Sequence, residues 1–238
     1  MAVGNTTPRQ RYREQVRGEI KQAALEQIRA GGIAALSLNA VAKQMGLTGP
    51  ALYKYFKNRD DLLTELICDA YDGAAAAMRG TAARAVDASP REQLHALGTA
   101  YREWAVGAPH LYLLLAGTPS PSCEAPAETV DRARAVLGPL LPVLGRGQCP
   151  PGVGELREQM QQWLDETPAV ADWVRGCAPD AGVDPAMALA GTVVAWARLH
   201  GIVSLEVQGQ FSSMGHRAAT LLDAEMQALA DSMGLPGA

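Results

Sequence analysis

The part of this sequence that most constrains its fold is the stretch from residue 37 to residue 63, which reads SLNAVAKQMGLTGPALYKYFKNRDDLL. Ser37 stands in front of apolar residues at helical spacing and is a predicted N-cap. Gly46 can adopt the left-handed backbone that ends a helix, and Thr48 is predicted to cap the helix that follows. The stretch therefore predicts a helix, a tight turn, a second helix and the start of a third.

The two faces of the second helix differ in their chemistry. Leu52 and Phe56 lie one turn apart and are predicted to face inward. The opposite face carries small, aromatic and basic residues, which suits the major groove of DNA when the helix is the second of a helix-turn-helix. The predicted outward residues are Gly49, Pro50, Tyr53, Lys54 and Tyr55.

Residues 15–68 resemble the DNA-binding domain of the TetR family of transcriptional regulators. The resemblance rests on an amphipathic first helix, on the Ser37 cap and on the segment LYKYFKNRDDLL at residues 52–63. That segment matches the family pattern L-Y-x-x-F-K-N/S-K/R-x-x-L-L. Tyr55 departs from the family, because histidine is common at that position.

The resemblance implies roles for individual residues. In the family, the matching tyrosine and the basic residues after the signature phenylalanine hold the phosphate backbone, and bases are read from the start of the second helix and from the helix before it. Lysine can donate to guanine, asparagine can pair with adenine, and proline can pack on a thymine methyl group. The predicted DNA-binding residues are Ser37, Asn39, Thr48, Gly49, Pro50, Tyr53, Lys54, Tyr55, Lys57 and Arg59.

The distribution of charge agrees with a basic N-terminal domain. The net charge of the whole chain is −4, which by itself argues against nucleic acid. Residues 1–60, however, hold ten Lys and Arg against four Asp and Glu, a net of +6, so the remainder carries −10. A basic domain joined to an acidic one is the asymmetry expected when only the first meets phosphate.

Composition and capping signals predict an all-α fold. Aromatic residues make up only 5% of the chain, and no alternating strand pattern is found. A long linking helix is predicted from the cap Asn58 past Tyr71 to Arg79 or beyond. Residues 1–8 are predicted to be a disordered tail, and residues 117–126 a loop. Further helices are predicted at about residues 90–107, 109–115, 127–144, 155–166, 169–177, 185–207 and 216–233.

The sequence carries no motif for catalysis or metal binding. No nucleophile–base pair, HExxH, phosphate loop or dinucleotide fingerprint occurs, and the four cysteines lack metal-ligand spacing. We therefore expect no catalytic residues, no metal and no cofactor. Arg198, His200 and two glycines interrupt the apolar run at 185–205, which favours a buried helix over a membrane span. The polar N-terminus and scattered cysteines favour a cytoplasmic protein.

Aromatic and histidine side chains in the C-terminal part are candidates for a ligand pocket, although packing in the core is the alternative for each of them. Trp196 and His200 lie on one helix face. With Gly201 they resemble the W-x-x-x-H-G element of one class of TetR-family C-terminal domains, which implies a helical regulatory domain. The predicted ligand-binding residues are Tyr101, Trp104, His110, Tyr112, Trp163, Trp173, Trp196 and His200.

These observations predict an all-α protein with a three-helix helix-turn-helix domain at residues 1–57 and a larger helical ligand-binding and dimerisation domain at 58–238. We expect a repressor that binds a palindromic operator in double-stranded DNA and is released by a small apolar or aromatic inducer. The resemblance implies a homodimer formed through about residues 185–207 and 216–233. One alternative is a DNA-binding regulator whose C-terminal domain binds a protein partner and no small ligand. The other is a helical enzyme with a DNA-binding domain.

Overall fold

The computed structural model describes residues 7–116 and 127–237, and within those ranges it contains helices and no strand. The predicted all-α fold is therefore confirmed. The α-helices are α1 Pro8–Gly31, α2 Leu38–Gln44, α3 Gly49–Leu52, α4 Arg59–Arg84, α5 Pro90–Gly107, α6 Pro109–Ala116, α7 Ala127–Leu137, α8 Leu141–Leu144, α9 Gly154–Glu166, α10 Pro168–Cys177, α11 Pro185–Val207 and α12 Ala218–Ser232.

The start of α1 corrects the predicted tail at residues 1–8. The Thr7 hydroxyl accepts the Gln10 amide at 3.3 Å, while the Gln10 side chain accepts the Thr7 amide at 3.1 Å. This reciprocal capping box, with Pro8 in the first helical position, begins a helix where disorder was expected. Residues 1–6, and the loop predicted at 117–126, lie outside the described residues.

Three predicted helix starts are confirmed by their capping bonds. Asn58 Oδ1 accepts the Asp61 amide at 2.8 Å and opens α4. Ser89 forms a capping box with Glu92 at the start of α5. Asp184 Oδ1 accepts two amides at the start of α11, at 3.0 and 3.1 Å. Each short polar side chain satisfies amides that a helix leaves without intrahelical partners.

The chain forms two compact units, which are named here by their residues. The head unit comprises Met1–Ala70 and His110–Gly117, and the body unit comprises Tyr71–Pro109 and Thr118–Ala238. The functional division predicted at residue 57 stays a prediction; the compact head unit extends along α4 to Ala70 and includes α6.

The head unit has its own apolar core, in which α6 takes part. The side chain of Leu114 from α6 is only 5% exposed and packs with residues of α1 to α4. Other members of this core are Ile20, Ala24, Ile28, Val41, Leu52, Phe56, Leu62 and Leu66. The predicted inward positions of Leu52 and Phe56 are confirmed, since they are 1% and 0% exposed.

The body unit is built around α11, which packs against α5, α8, α9 and α12. By length and composition alone α11 could cross a membrane, but 61% of its most apolar window is buried in the fold. One face of α12 is also buried, at Ala218, Leu222, Met226 and Leu229. The predicted helix at 127–144 is broken by a 3₁₀ turn at Gly138–Leu140, because Pro139 and Pro142 cannot donate helical hydrogen bonds.

Candidate DNA interface and ligand cavity

The turn between α2 and α3 has the geometry that the sequence predicted. Ser37 caps α2 by accepting the Ala40 amide at 3.4 Å. Gly46 has a φ of 67°, and its amide donates to Lys43 O at 3.2 Å, while Leu47 donates to Ala42 O at 2.8 Å. These two bonds form a Schellman motif, for which glycine is favoured because a Cβ opposes positive φ. The turn therefore fixes the angle at which α3 leaves α2.

Thr48 occupies the predicted N-cap position of α3, but its side chain makes no capping bond, which corrects the prediction. The second residue of α3 is Pro50, which has no amide hydrogen to donate. The third residue, Ala51, donates its amide to the Thr48 carbonyl at 2.9 Å. Of the two positions that an N-cap side chain normally reaches, one has no amide hydrogen and the other donates to a carbonyl, so the exposed Thr48 side chain is available to a partner.

The predicted DNA-binding residues largely share one exposed surface of the head unit. Ser37, Asn39, Tyr53 and Arg59 line a groove of about 280 Å³. A Cβ placed on Gly49 would lie 3.9 Å from Asn39 Oδ1, so Asn39 of α2 reaches the first residue of α3. The exposed members of the predicted set are Ser37, Asn39, Thr48, Pro50, Tyr53, Lys54 and Lys57.

Two members of the set are less available than predicted. Tyr55 was expected to point outward, but it is half-buried against the core of the head unit. Its amide donates to Leu52 O at 2.9 Å, an i to i+3 bond that turns the chain more tightly than an α-helix. Arg59 is also partly buried, and its guanidinium donates to Ile33 O at 2.7 Å and Leu36 O at 3.1 Å. Arg59 therefore holds the segment before α2.

A row of cations on α1 was missed by the sequence interpretation. Arg9, Arg13, Arg17 and Lys21 are spaced four apart and share one face of α1. Lys21 pairs with Asp69 at 2.6 Å, and Arg17 pairs with Glu65. The four-residue spacing of like charges was the signal that could have revealed the row.

Two arginines of this row also donate to backbone carbonyls in the segment that follows α3. Arg17 donates to Tyr55 O at 2.5 Å, and Arg13 donates to Lys54 O at 3.4 Å. Arg9, one turn further toward the start of α1, is exposed and has no ion pair among the described residues. The row therefore runs from cations held in internal ion pairs to Arg9, which has no ion pair among the described residues.

A cavity in the described part of the body unit has a volume of about 890 Å³. Its walls come from α4, α5, α7, the turn and helix at 138–144, and α10. Most of the lining is aliphatic or proline, with a few charged and aromatic side chains. The lining residues are Arg79, Ala82, Ala85, Val86, Gln93, Leu97, Asp131, Arg134, Ala135, Gly138, Pro139, Pro142, Val143, Arg146, Ala169, Asp172, Trp173 and Cys177. A cavity of this size can enclose a drug-sized molecule.

Of the eight predicted ligand-binding residues, only Trp173 lines this cavity. His110 and Tyr112 belong to the head unit, where Tyr112 is fully buried and His110 lies 3.4 Å from Arg29. Trp163 stands on α9 and is 40% exposed. Since these side chains are held elsewhere, the ligand roles predicted for them have no support from the cavity.

The remaining four predicted residues pack together in the body unit. Ring centroids lie 5.9 Å apart for Tyr101–Trp104, 5.2 Å for Tyr101–Trp196 and 5.4 Å for Trp196–His200. Tyr101 is only 1% exposed, and burial lowers the pKa of His200, so the imidazole is neutral at pH 7. These contacts agree with the packing role that the sequence left open as the alternative, although Trp104, Trp196 and His200 are only half-buried, so their ligand role stays a prediction.

Comparisons with known proteins agree with this architecture. The family model described as "Bacterial regulatory proteins, tetR family" matches residues 20–66, and "Tetracyclin repressor-like, C-terminal domain" matches residues 94–229. A curated relative, HTH-type transcriptional regulator Mb1846 of Mycobacterium bovis, is 30% identical over 202 residues, which cover 84% of each chain.

Solved structures show the same fold. The crystal structure of putative regulatory protein SCO4313 has a TM-score of 0.77 and 41% identity, covering 94% of this chain and all of the other. The transcriptional regulator FadR from Bacillus subtilis, in complex with stearoyl-CoA, has a TM-score of 0.60 at 16% identity, covering 90% of this chain and 98% of that one. The chain therefore belongs to the TetR family of DNA-binding transcriptional regulators.

Proposed function

We propose that this protein is a cytoplasmic repressor that binds a palindromic operator as a homodimer and leaves it when a small inducer with an apolar body fills the cavity of the body unit. The observation that carries the proposal is the placement of α4. This helix contributes Leu62 and Leu66 to the core of the head unit, and Arg79 and Ala82 to the wall of the cavity. A ligand that shifts the far end of α4 can therefore bias the head unit.

The proposed DNA contacts divide into two kinds. We propose that Asn39, Gly49, Pro50 and Lys54 meet base edges. Asn39 lies on α2, Gly49 and Pro50 begin α3, and Lys54 follows the last residue of α3 by two positions. Phosphate contacts come from Ser37, Thr48, Tyr53 and Lys57, with Tyr55 and Arg59 in supporting positions. To this set we add Arg9, the unengaged end of the cationic row on α1.

The proposed homodimer uses the outer faces of α11 and α12, within the predicted ranges 185–207 and 216–233. Val193, Ala197, Gly201 and Leu205 are spaced four apart on α11, and Val193 and Leu205 are 43% and 44% exposed. A side chain on Gly201 would meet nothing within 4 Å in its own protomer. An exposed apolar stripe on a helix is covered in a two-fold dimer by the same stripe of a second copy.

Two observations support the proposed ligand: the residues that line the cavity, and the ligand bound by a protein of the same fold. The walls are mainly aliphatic, which favours an apolar molecular body. FadR from Bacillus subtilis, which has the same fold, was crystallised in complex with stearoyl-CoA, and this supports a ligand that contains a hydrocarbon chain.

Selection of DNA sites from a random duplex library by the full-length protein tests the proposal. We expect enrichment of an inverted repeat whose half-sites lie about one helical turn apart, roughly 34–36 Å. Enrichment of a single half-site, or of no sequence, would contradict the palindromic operator. The partner-binding alternative would be favoured by two results together. No small molecule would stabilise the protein in a thermal-shift screen, and only a protein partner would change its affinity for the operator.

A further inference from the structure

The cations of the body unit are paired almost completely. All eleven of its basic residues are arginines, and eight of them lie within 4 Å of a carboxylate. The three without a carboxylate partner among the described residues are Arg79, Arg84 and Arg217. Arg84 donates instead to Thr81 Oγ1 at 2.8 Å. In a part of the chain where acids outnumber bases, an arginine left unpaired at a cavity is a candidate anchor for an anion.

Arg79 lines the cavity together with two other arginines whose donors are only partly used. Arg134 contacts Asp131 at 3.2 Å, and Arg146 contacts Asp180 at 3.2 Å. The two carboxylates are 86% and 56% exposed, so both pairs are weakened by solvent. Because a guanidinium has five N–H donors, single contacts of this kind leave donors for a ligand.

Trp173 adds a further donor to the same cavity. Its indole nitrogen is buried and makes no hydrogen bond of normal length and angle. Its neighbour is the Cys177 thiol, whose pKa is raised by burial, with the indole N–H opposing the shift. A neutral thiol is a weak acceptor, so the indole N–H is a second observation that points to a missing acceptor.

The remaining wall supplies the apolar side of the site. Ala82, Ala85, Val86, Leu97 and Val143 present hydrocarbon, as do Pro139 and Pro142. We propose that the inducer is an amphipathic carboxylate, whose hydrocarbon body lies on this wall and whose carboxylate is held by Arg79 with Arg134 and Arg146. The inference rests on the proposed function, since it names the ligand class of the cavity assigned there. It refines the small apolar or aromatic inducer expected from the sequence.

Decanoate and decan-1-ol test the charge requirement directly, because they share a hydrocarbon chain and differ in the head group. Binding is followed by tryptophan fluorescence in the full-length protein, and Trp173→Phe identifies the part of the signal that comes from the cavity. We expect decanoate to bind roughly tenfold to a hundredfold more tightly than the alcohol, the range for a charge-assisted hydrogen bond.

Arg79→Gln and Arg84→Gln form a matched pair of variants, since both arginines are exposed on α4 and neither has a carboxylate partner. Arg79→Gln is expected to abolish the preference for decanoate, whereas Arg84→Gln should keep it. Circular dichroism confirms that each variant is folded.

The outcomes separate this inference from the proposed function. Equal affinity for decanoate and decan-1-ol, with the Trp173 signal retained, would overturn the anionic ligand and leave an apolar inducer in the cavity. If Arg79→Gln and Arg84→Gln lost the preference for decanoate over decan-1-ol equally, Arg79 would not be the residue that anchors the carboxylate. Failure of both probes to bind would overturn the ligand class, while site selection on DNA would still decide whether the protein recognises a palindromic operator.

Discussion

At the scale of single residues, DNA binding depends on which cations are already engaged within the head unit. Arg17 and Lys21 are held by Glu65 and Asp69, and Arg59 is held by two backbone carbonyls. Lys54 and Lys57 are exposed and have no ion pair in the part of the chain that the structure describes. The cations that face outward, with Arg9, are therefore those free to displace counterions from DNA.

Replacing Arg9 with glutamine is expected to weaken binding to all DNA sequences alike. The plot of log affinity against log salt should flatten by about 0.9 for each lost phosphate contact, so by roughly two units for a dimer. Lys54→Ala should instead relax preference at one symmetric pair of bases, at a cost of ~1–3 kcal/mol per contact. Fluorescence anisotropy with an operator and point-mutated duplexes measures both effects. Arg84→Gln is the control, and an Arg9→Gln slope equal to that of the control would refute the added contact.

At the scale of helices, the sequence predicted the features that are formed by bonds between residues close together in the chain. The Ser37 cap, the Gly46 turn and the Asn58 and Asp184 caps were predictable because each bond joins residues two to five apart. The cavity was not predictable, since its arginines come from three separate segments that only tertiary packing brings together. For the same reason the sequence could not show which aromatic residues line this cavity, and of the eight that it offered only Trp173 does so.

The start of α11 offers a test of helix capping in the body unit. Asp184 caps α11 and also accepts two bonds from Arg157, at 2.6 and 3.0 Å. Burial alone would raise the pKa of Asp184, but the bonds from Arg157 and from the Met187 and Ala186 amides outweigh it and leave the pKa below its usual value. Asp184→Ala is expected to lower the free energy of unfolding at pH 7 by about 1 kcal/mol.

The dependence of this loss on pH follows from the direction of the pKa shift. A carboxyl whose pKa is lowered in the folded state stabilises the protein above its unfolded pKa, about 3.9, and ceases to do so as the pH falls through the folded value. The difference between wild type and Asp184→Ala, measured by urea unfolding, should therefore shrink below about pH 4. The exposed Asp165→Ala is the control, and a difference that grew in acid would contradict the assignment.

At the scale of the whole molecule, the proposed function requires two copies. Sedimentation equilibrium of the wild type should give about twice 25.1 kDa. Gly201→Arg should give the monomer mass, because its side chain is free of contacts within the protomer but falls on the proposed interface. Gly176→Arg is the matched control, since Gly176 is also an exposed helical glycine with nothing within 4 Å. A dimeric Gly201→Arg variant would place the interface elsewhere.

The central claim is that filling the cavity of the body unit and binding of the operator by the head unit oppose each other. The direct measurement is the affinity for decanoate, followed through the Trp173 signal, in the free protein and in protein saturated with operator duplex. Linkage requires the operator to weaken decanoate binding by the same factor by which decanoate weakens operator binding, typically about 5- to 150-fold. Equal affinities for decanoate with and without the operator would contradict the account, because a ligand indifferent to the state of the head unit cannot release it from DNA.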